Sequence, residues 1–358
     1  MKKFYSVVCA ALAVMLTLLA AVCIFERSRS FPSLGDDTVM AAVALALPGG
    51  RYRDKATPSD ASKADVSDEM TQNTAGALPV VKYSEVYKED PSQYDGETHL
   101  PIYETQYVEG DVSYENISVK NTTGLNLDIE KYLGRNMGFK FSDDSRVQVL
   151  IVHTHTSESY LYYDAGYYHE SFYPRSTDNT KNMVRVGEEI ANSLRQQGIG
   201  VVHATEIHDN PRYDGAYYRS WDTIKKYLEE YPDIKVVLDI HRDSISYSSD
   251  GGKIKPTFEA GGRKGAQIMI MSGYDPDGSL EFPFWEDNLS FALKIQKKAE
   301  DMYPGMTRPL YFGNFAYNMN VNNGSLLIEV GTDANTLEEA VYTGGLLGNV
   351  LSQVLQSS

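Results

Sequence analysis

Two histidines and a glutamate follow an apolar run in the stretch VLIVHTHTSESY. The run predicts a buried strand, and His153, His155 and Glu158 come directly after it. A second run, VVLDIHRDS, carries His241 towards its end. Histidine and carboxylate side chains are typical ligands of a catalytic zinc ion, which keeps one further position for water. The pattern therefore favours a metal site, and the simpler alternative is a polar loop that happens to contain histidines.

A third apolar run, LLIEV, holds Glu329 near its carboxyl end. An unpaired carboxylate on a buried strand costs several kcal/mol of desolvation. Such a cost favours a functional role, and a carboxylate beside a metal-activated water is typical of a general base. The alternative is a strand-end glutamate that forms an ion pair with an arginine.

Further titratable residues lie next to these histidines in the sequence. His153 is either the metal ligand in place of His155 or a group that supports the ligand, and His203 could give the same support. A ligating histidine usually donates its other ring N–H to a carboxylate or carbonyl. Asp239 and Asp243 are the candidates for that acceptor.

Arg242 follows His241 directly. Its planar guanidinium suits two parallel hydrogen bonds to a carboxylate, so we predict that it binds a substrate carboxylate, and the alternative is a structural ion pair. The loop YLYYDAGYYHESFY holds six tyrosines, whose rings could stack on a glycan or pack the loop onto the domain. We expect His169 and His208 to take no part in the site.

Short apolar runs alternate with helical patterns from about residue 146. Runs that are apolar on both faces predict parallel strands covered by helices. The order predicts an α/β fold with an open, mostly parallel sheet flanked by helices, whose polar strand ends meet at one edge. The predicted strands are 147–152, 199–203, 236–240, 267–271 and 326–330, and the predicted helices are 182–197, 217–229, 288–302 and 336–355.

The remaining segments predict the organisation around this domain at 146–358. Between the third and fourth predicted strands, SYSSDGGKIKPTFEAGGRKGA indicates a hairpin insertion around DGG. Residues 101–145 form a lead-in segment with two strand-like pieces, ISVKN and LNLDIEKYL. Residues 26–100 hold few large apolar residues, which predicts a flexible stalk.

The N-terminal residues 7–25 contain no charged residue, and Lys2 and Lys3 precede them. This length is sufficient for a transmembrane helix, in a signal peptide or a signal anchor. No cleavage site is evident directly after the run. We therefore predict an uncleaved signal anchor at 1–25 and a single-pass protein of the cell membrane with its catalytic domain outside the cytoplasm.

The composition excludes two classes of function. The chain has 358 residues and a formal net charge of −16, which argues against nucleic acid as a partner because phosphate binding needs a basic surface. Its two cysteines, Cys9 and Cys23, both lie in the N-terminal apolar segment. The rest of the chain therefore has neither a disulfide framework nor a thiolate metal site.

The motifs VLIVHTHTSESY, TKNMVRVGEEIANSL, VVLDIHRDS and LLIEVGTDANTLEEA occur in that order. With VKNTTG ahead of them, they resemble the stage II sporulation protein P family over about residues 112–353. The resemblance implies a membrane-anchored peptidoglycan hydrolase of spore-forming Firmicutes. That family is in turn similar to the zinc-dependent N-acetylmuramoyl-L-alanine amidases, so the resemblance also implies their fold.

Carried over by motif, the first amidase histidine falls on His155, the histidine of IH on His241, and the catalytic glutamate on Glu329. The amidases' other ligand is a glutamate at the start of a helix, and this sequence departs from that pattern. Glu158 is our preferred third ligand for Zn²⁺. Two alternatives stay open: Glu170, which has the spacing, and Asp178, which precedes a predicted helix.

The resemblance implies cleavage of the amide between muramic acid and L-alanine during engulfment of the forespore, and also cleavage of stem-peptide cross-links. It further implies a complex with stage II sporulation proteins D and M. One alternative is a catalytically inactive protein that binds the cell wall. A metallophosphoesterase is disfavoured, because the first motif lacks an Asp-x-His pair.

Overall fold

The computed structural model describes residues 94–142, 146–247 and 249–357. The predicted signal anchor and nearly all of the predicted stalk lie outside them. In this described part, no helix combines the length and the apolar character needed to cross a membrane. This corrects the predicted single-pass location in the cell membrane. The longest described helix carries two glutamates in its first turn and packs within the domain.

Twelve strands and five α-helices are found in the described residues. The strands are β1 (His99–Thr105), β2 (Val112–Tyr114), β3 (Ile117–Asn121), β4 (Val147–Val152), β5 (Tyr167–His169), β6 (Gly200–His203), β7 (Val236–Asp243), β8 (Lys253–Ala260), β9 (Arg263–Ala266), β10 (Ile268–Gly273), β11 (Leu310–Gly313) and β12 (Ser325–Thr332). The helices are α1 (Ile129–Leu133), α2 (Met183–Gln196), α3 (Ala216–Glu230), α4 (Trp285–Met302) and α5 (Leu337–Gln356).

The larger sheet has the strand order β2-β3-β11-β10-β12-β7-β4-β6. Its β2–β3 and β10–β12 pairs are antiparallel, and the other neighbouring strands are parallel. The prediction of an α/β fold with a mostly parallel sheet is therefore confirmed. All five predicted strands of this sheet are present. In β4, β7, β10 and β12 the apolar side chains are buried on both faces, as the continuous runs indicated, whereas in the edge strand β6 only Val201 is buried.

A smaller sheet, in the order β5-β1-β8-β9, was not predicted. Strand β1 of this sheet begins at His99, inside the predicted stalk, and pairs in parallel with β8. The predicted hairpin around DGG is present, because Ser246 pairs antiparallel with Lys253 and the amide of Tyr247 donates to the carbonyl oxygen of Gly252 at 2.7 Å. A second hairpin, β8–β9, turns at Gly261 and Gly262. Both glycines have positive φ, +55° and +72°, as a two-residue hairpin turn of this kind requires.

One predicted strand-like piece is a helix. In LNLDIEKYL, Asp128 caps α1 and accepts a hydrogen bond from the amide of Lys131. An aspartate in this position satisfies a helix-terminal N–H that would otherwise lack a partner. Local capping therefore outweighs the alternating pattern that suggested a strand.

Helices α2 and α5 pack closely on one face of the larger sheet. Asn182 caps α2, while Thr336 and Glu339 form a capping box at the start of α5. A Cβ atom on Gly348 would lie 2.4 Å from the Cβ of Ser193. Glycine is therefore required where the two helices cross.

The three strands that carry the predicted site are neighbours in the order β12-β7-β4. Asp239 of β7 lies opposite Val152 at the end of β4, and His241 lies opposite Glu329 of β12. Because these strands are parallel, their carboxyl ends meet at one edge of the sheet, as predicted.

Candidate active site

The turn that follows β4 is held by hydrogen bonds. Thr156 Oγ1 donates to the carbonyl oxygen of His153 at 2.7 Å, and the amide of Glu158 donates to the carbonyl oxygen of His155 at 3.1 Å. Nδ1 of His208 lies 2.7 Å from the same His153 oxygen. These bonds fix His155 and Glu158 relative to the strand. His208, which we expected to take no part, supports the turn.

The ring of His155 is fully buried, and neither of its nitrogens has a hydrogen-bond partner. Burial holds the pKa of His155 well below its usual value, so the imidazole is neutral and one nitrogen keeps a lone pair. The ring of His241 meets it edge-on, with 5.2 Å between the ring centroids. A buried nitrogen without a partner costs roughly 1–3 kcal/mol, a cost that a bound metal ion would remove.

Glu158 points towards His241, with 3.6 Å between its Oε2 and His241 Nδ1. Burial by itself would raise the pKa of Glu158, but the charge of Arg242 and the nearby His241 hold it well below its usual value. The amide of Arg242 also donates to Glu158 Oε2 at 3.2 Å. Glu158 is therefore a carboxylate at neutral pH.

The other nitrogen of His241, Nε2, lies 2.9 Å from Asp239 Oδ1. This contact lacks hydrogen-bond geometry and is an ionic contact. Burial alone would lower the pKa of His241, but Asp239 and Glu158 raise it well above its usual value. Asp239 is itself fixed by the amide and the hydroxyl of Thr154, at 2.8 and 2.6 Å. It thus lies where a carboxylate that orients His241 would be needed.

Glu329 is fully buried, and neither of its carboxylate oxygens has a hydrogen-bond partner. Burial, and then the nearby carboxylate of Asp243, raise the pKa of Glu329 well above its usual range. Arg308 donates to Asp243 Oδ2 at 2.9 Å. Arg308 is therefore paired with Asp243. The structure does not show the ion pair between Glu329 and an arginine that was the alternative to a functional role.

Arg242 is buried, and its side chain donates to backbone oxygens. Nε binds the carbonyl of Ser159 at 3.1 Å, and Nη2 binds the carbonyl of Pro174 at 2.7 Å. Its Nη1 lies 3.9 Å from Glu158 Oε1. The residue predicted to bind a substrate carboxylate therefore lies behind Glu158, with its side chain bonded to the chain itself.

His153 lies on the side of the turn away from this cluster. Its Nε2 is 2.9 Å from Nε2 of His203, and its Nδ1 is 2.9 Å from the carbonyl oxygen of Ile240. His203 Nδ1 in turn lies 2.9 Å from Glu188 Oε2. Burial and the facing His203 lower the pKa of His153 to about 3. Both histidines therefore occupy a supporting position, in agreement with one of the two roles that the sequence left open.

The two alternatives to Glu158 lie elsewhere. Asp178 is exposed, binds the amide and the hydroxyl of Thr180, and forms an ion pair with Lys181. Glu170 is exposed in the turn that follows β5. Of the three carboxylates considered as the third ligand, Glu158 is the one that the structure brings to His155 and His241.

Residues that the sequence analysis did not single out cover the cluster. The ring of Tyr213 stacks on His155 with 4.3 Å between centroids, and Tyr217 meets His155 edge-on at 5.5 Å. Arg175 lies over the Tyr213 ring at 4.7 Å and binds Asp209 at 2.9 Å. The signal for this cover was the loop HDNPRYDG, in which Tyr213 stands among the charged residues Asp209, Arg212 and Asp214.

The residues present suit a metal ion by their chemistry. In residues 94–142, 146–247 and 249–357, no group of three or more His, Cys, Asp or Glu side chains has the spacing of a metal site. The donor set nonetheless fits one, because His155 has two buried nitrogens without partners and faces a second imidazole and a carboxylate. Two imidazoles and one carboxylate are the ligands of many catalytic zinc sites. His155, Glu158 and His241 are the residues that would hold the ion.

A family model described as Stage II sporulation protein P (SpoIIP) matches residues 57–352. The chain belongs to the stage II sporulation protein P family. The stage II sporulation protein P of Bacillus subtilis (strain 168) is 28% identical over 217 residues, which are 58% of this chain and 50% of that protein. The chain thus spans about half the length of this curated relative.

Solved structures of three amidases are similar to this member of the family at a low level. N-acetylmuramoyl-L-alanine amidase AmiC2 of Nostoc punctiforme is 11% identical, with 60% of this chain and 97% of that chain covered and a TM-score of 0.34. The N-acetylmuramoyl-L-alanine amidase from Clostridium difficile 630 has the same coverage and TM-score at 17% identity. The CwlD amidase from Clostridioides difficile, solved in complex with the GerS lipoprotein, is 11% identical, covers 59% and 97%, and also scores 0.34.

Proposed function

We propose that this protein is a peptidoglycan hydrolase of sporulation that cleaves the amide between N-acetylmuramic acid and L-alanine. The observation that carries the proposal is the buried group of His155, Glu158 and His241 beside Glu329, a carboxylate without a hydrogen-bond partner. These are the side chains that metal-assisted amide hydrolysis needs. Membership of the family supports the proposal, because the resemblance of its motifs implies peptidoglycan hydrolysis during engulfment.

His155, Glu158 and His241 would hold a zinc ion. Such an ion, when bound, lowers the pKa of a water molecule and polarises the scissile carbonyl. Asp239 orients His241 through its contact with Nε2, which leaves Nδ1 directed towards Glu158. We propose that Arg242 keeps Glu158 ionised and in place, in preference to a contact with the substrate.

Glu329 moves the proton. Its carboxylate takes a proton from the attacking water as the carbon–oxygen bond forms, and then gives it to the nitrogen of L-alanine as the carbon–nitrogen bond breaks. The raised pKa of Glu329 suits the second step, because a carboxyl group with a raised pKa holds the proton until the amine leaves, while the positive charge of a bound zinc ion would favour the carboxylate that the first step needs. Burial without partners keeps both oxygens available for this transfer.

Two wider statements follow from the family resemblance and stay proposals. The first is a second activity on stem-peptide cross-links. The second is a complex with stage II sporulation proteins D and M. The competing function, an inactive protein that binds the cell wall, predicts no use for an unpaired buried Glu329, and the experiment below separates the two.

The test measures bound zinc and released products for the full chain and its variants. His155→Ala and His241→Ala remove proposed ligands, and Glu329→Gln removes the proposed base while it keeps the shape of the side chain. Matched controls are His169→Ala and Glu170→Gln, since both residues lie outside the cluster. Purified peptidoglycan is the substrate, and mass spectrometry identifies the products.

We expect both histidine variants to lose zinc and activity, and Glu329→Gln to keep zinc but to release no stem peptide. The two controls should behave like the wild type. If the wild-type chain binds no zinc and releases nothing, but sediments with peptidoglycan, the protein is a wall-binding module and the proposal is wrong.

A further inference from the structure

The candidate active site is closed to solvent. His155 and Glu329 are 0% exposed, and Glu158 and His241 are 1% exposed. A glycan strand with stem peptides is a bulky polymer, so none of its amide bonds can reach these side chains in this conformation. Some part of the cover must move before such a substrate binds.

The part that lies directly over His155 is the ring of Tyr213. The two rings are almost parallel, with an angle of 7° and centroids 4.3 Å apart. Tyr213 belongs to the segment 209–215, which joins the strand β6 region to helix α3. Four residues of this short segment are exposed, namely Asn210, Pro211, Arg212 and Asp214. Segments with so little burial open at low free-energy cost.

An ion pair and two hydrogen bonds to Asp209 join the segment to the site. Arg175 Nη1 binds Asp209 Oδ2 at 2.9 Å, and the same guanidinium lies 4.7 Å above the ring of Tyr213. Asp209 also accepts hydrogen bonds from the amide and the hydroxyl of Ser157, at 3.0 and 2.6 Å. Arg175 therefore holds both the carboxylate and the ring that close the site.

Within itself, the segment is held by helix α3. The guanidinium of Arg219 donates to the carbonyl oxygens of His208, Arg212 and Asp214. This clamp keeps the shape of the segment without using any residue of the site. Asp209 and Tyr213 therefore make the contacts that join the segment to the site.

We propose that residues 209–215 form a lid over the active site, and that the Asp209–Arg175 ion pair is its latch. In the closed state, Tyr213 covers His155. In the open state, a sugar-linked stem peptide gains access to the zinc ligands and Glu329. The inference rests on the proposed function because it names the access route of that site, but its test uses neither substrate nor metal.

The test is the rate at which diethyl pyrocarbonate modifies individual histidines in the full, metal-free chain, with mass spectrometry of peptides as the readout. His155 reports lid opening, the equally buried His153 reports general unfolding, and the exposed His99 reports intrinsic reactivity. Asp209→Asn and Arg175→Gln weaken the latch and keep the Tyr213 ring.

Tyr213→Ala gives the rate for an uncovered His155. Tyr227→Ala is the matched control, because Tyr227 is a partly buried ring of α3 that packs in a different cluster.

We expect Asp209→Asn to raise the rate at His155 about tenfold, which equals about 1.4 kcal/mol of lost latch energy. His153 and His99 should not change, and Tyr227→Ala should match the wild type. The lid is refuted if His155 stays as slow as His153 in both latch variants. It is also refuted if His153 accelerates together with His155 in both, because the fold and not the lid has then opened. A wild-type chain that cleaves no peptidoglycan would refute the proposed function without affecting this result.

Discussion

Gly187 on helix α2 makes room for the histidine pair behind the active site. A Cβ atom at this position would lie 2.5 Å from Nε2 of His153 and 2.7 Å from Nε2 of His203. Neither imidazole ring can move away from the added carbon without loss of a hydrogen-bonding contact on its other side. His153 is held by the carbonyl of Ile240 and His203 by Glu188, each at 2.9 Å. We therefore predict that Gly187→Ala destabilises the fold.

The magnitude follows from two opposing effects. Forcing an extra carbon into a well-packed interior costs about 1–3 kcal/mol. Replacing glycine by alanine inside a helix stabilises it by up to about 1 kcal/mol. We expect a net loss of about 1–2 kcal/mol in the free energy of unfolding, because the new Cβ would clash with Nε2 of His153 and Nε2 of His203, and both rings are held in place by other contacts. For a urea slope of about 3 kcal/mol/M, this loss lowers the midpoint by about 0.5 M.

The assay is urea unfolding of the full chain, followed by circular dichroism. Gly134→Ala is the control, because the nearest atom to a Cβ there is 3.5 Å away, and it should change stability by less than about 0.5 kcal/mol. His203→Ala in the Gly187→Ala background should recover part of the loss, since it removes one of the clashing rings. A Gly187→Ala protein as stable as the wild type would refute this account.

Three further predictions concern buried charges. Lys255→Met should cost about 1–3 kcal/mol in urea unfolding, because it removes the cation beside the Glu339 carboxylate, which is 8% exposed, while Asp164 is 43% exposed and can be solvated. Lys297→Met, which removes partly exposed pairs, should cost less than about 1 kcal/mol, and equal costs would contradict this. The pKa of Glu329 is raised well above its usual 4.5, so the folded metal-free protein loses stability as the pH rises above that value. Relative to the wild type, Glu329→Gln should therefore gain stability by at most about 1.4 kcal/mol per pH unit as the pH rises above about 4.5, and a margin that does not change with pH would show that burial does not raise this pKa. Asp239→Asn should weaken zinc binding by about 10–100-fold in equilibrium dialysis because it no longer orients His241, and an unchanged affinity would remove this role.

Apolar runs and helical patterns were sufficient to predict five strands of the larger sheet and four helices. The predicted helix 182–197 is α2, in which Val186, Ile190 and Leu194 are buried at four-residue steps, and the predicted helix 336–355 is α5. Such signals are local, so a sequence carries them directly. The smaller sheet was missed because β1 pairs with β8 across about 150 residues, and its alternating pattern gives no sign of a partner that distant. The hairpin at DGG was predicted correctly, while the second turn, at Gly261 and Gly262, was not singled out although GG is also a strong turn signal.

The sequence by itself predicted that His155, His241 and Glu329 lie at or near the carboxyl ends of three strands of a mostly parallel sheet, because the apolar runs mark the strands. Only the tertiary structure decided what surrounds them. It places Glu158 next to His241 and leaves Asp178 and Glu170 exposed at the surface. It also pairs Arg308 with Asp243 and covers His155 with the ring of Tyr213. The physical reason is that a carboxylate takes its role from burial and from the charge next to it, and neither is encoded in spacing along the chain.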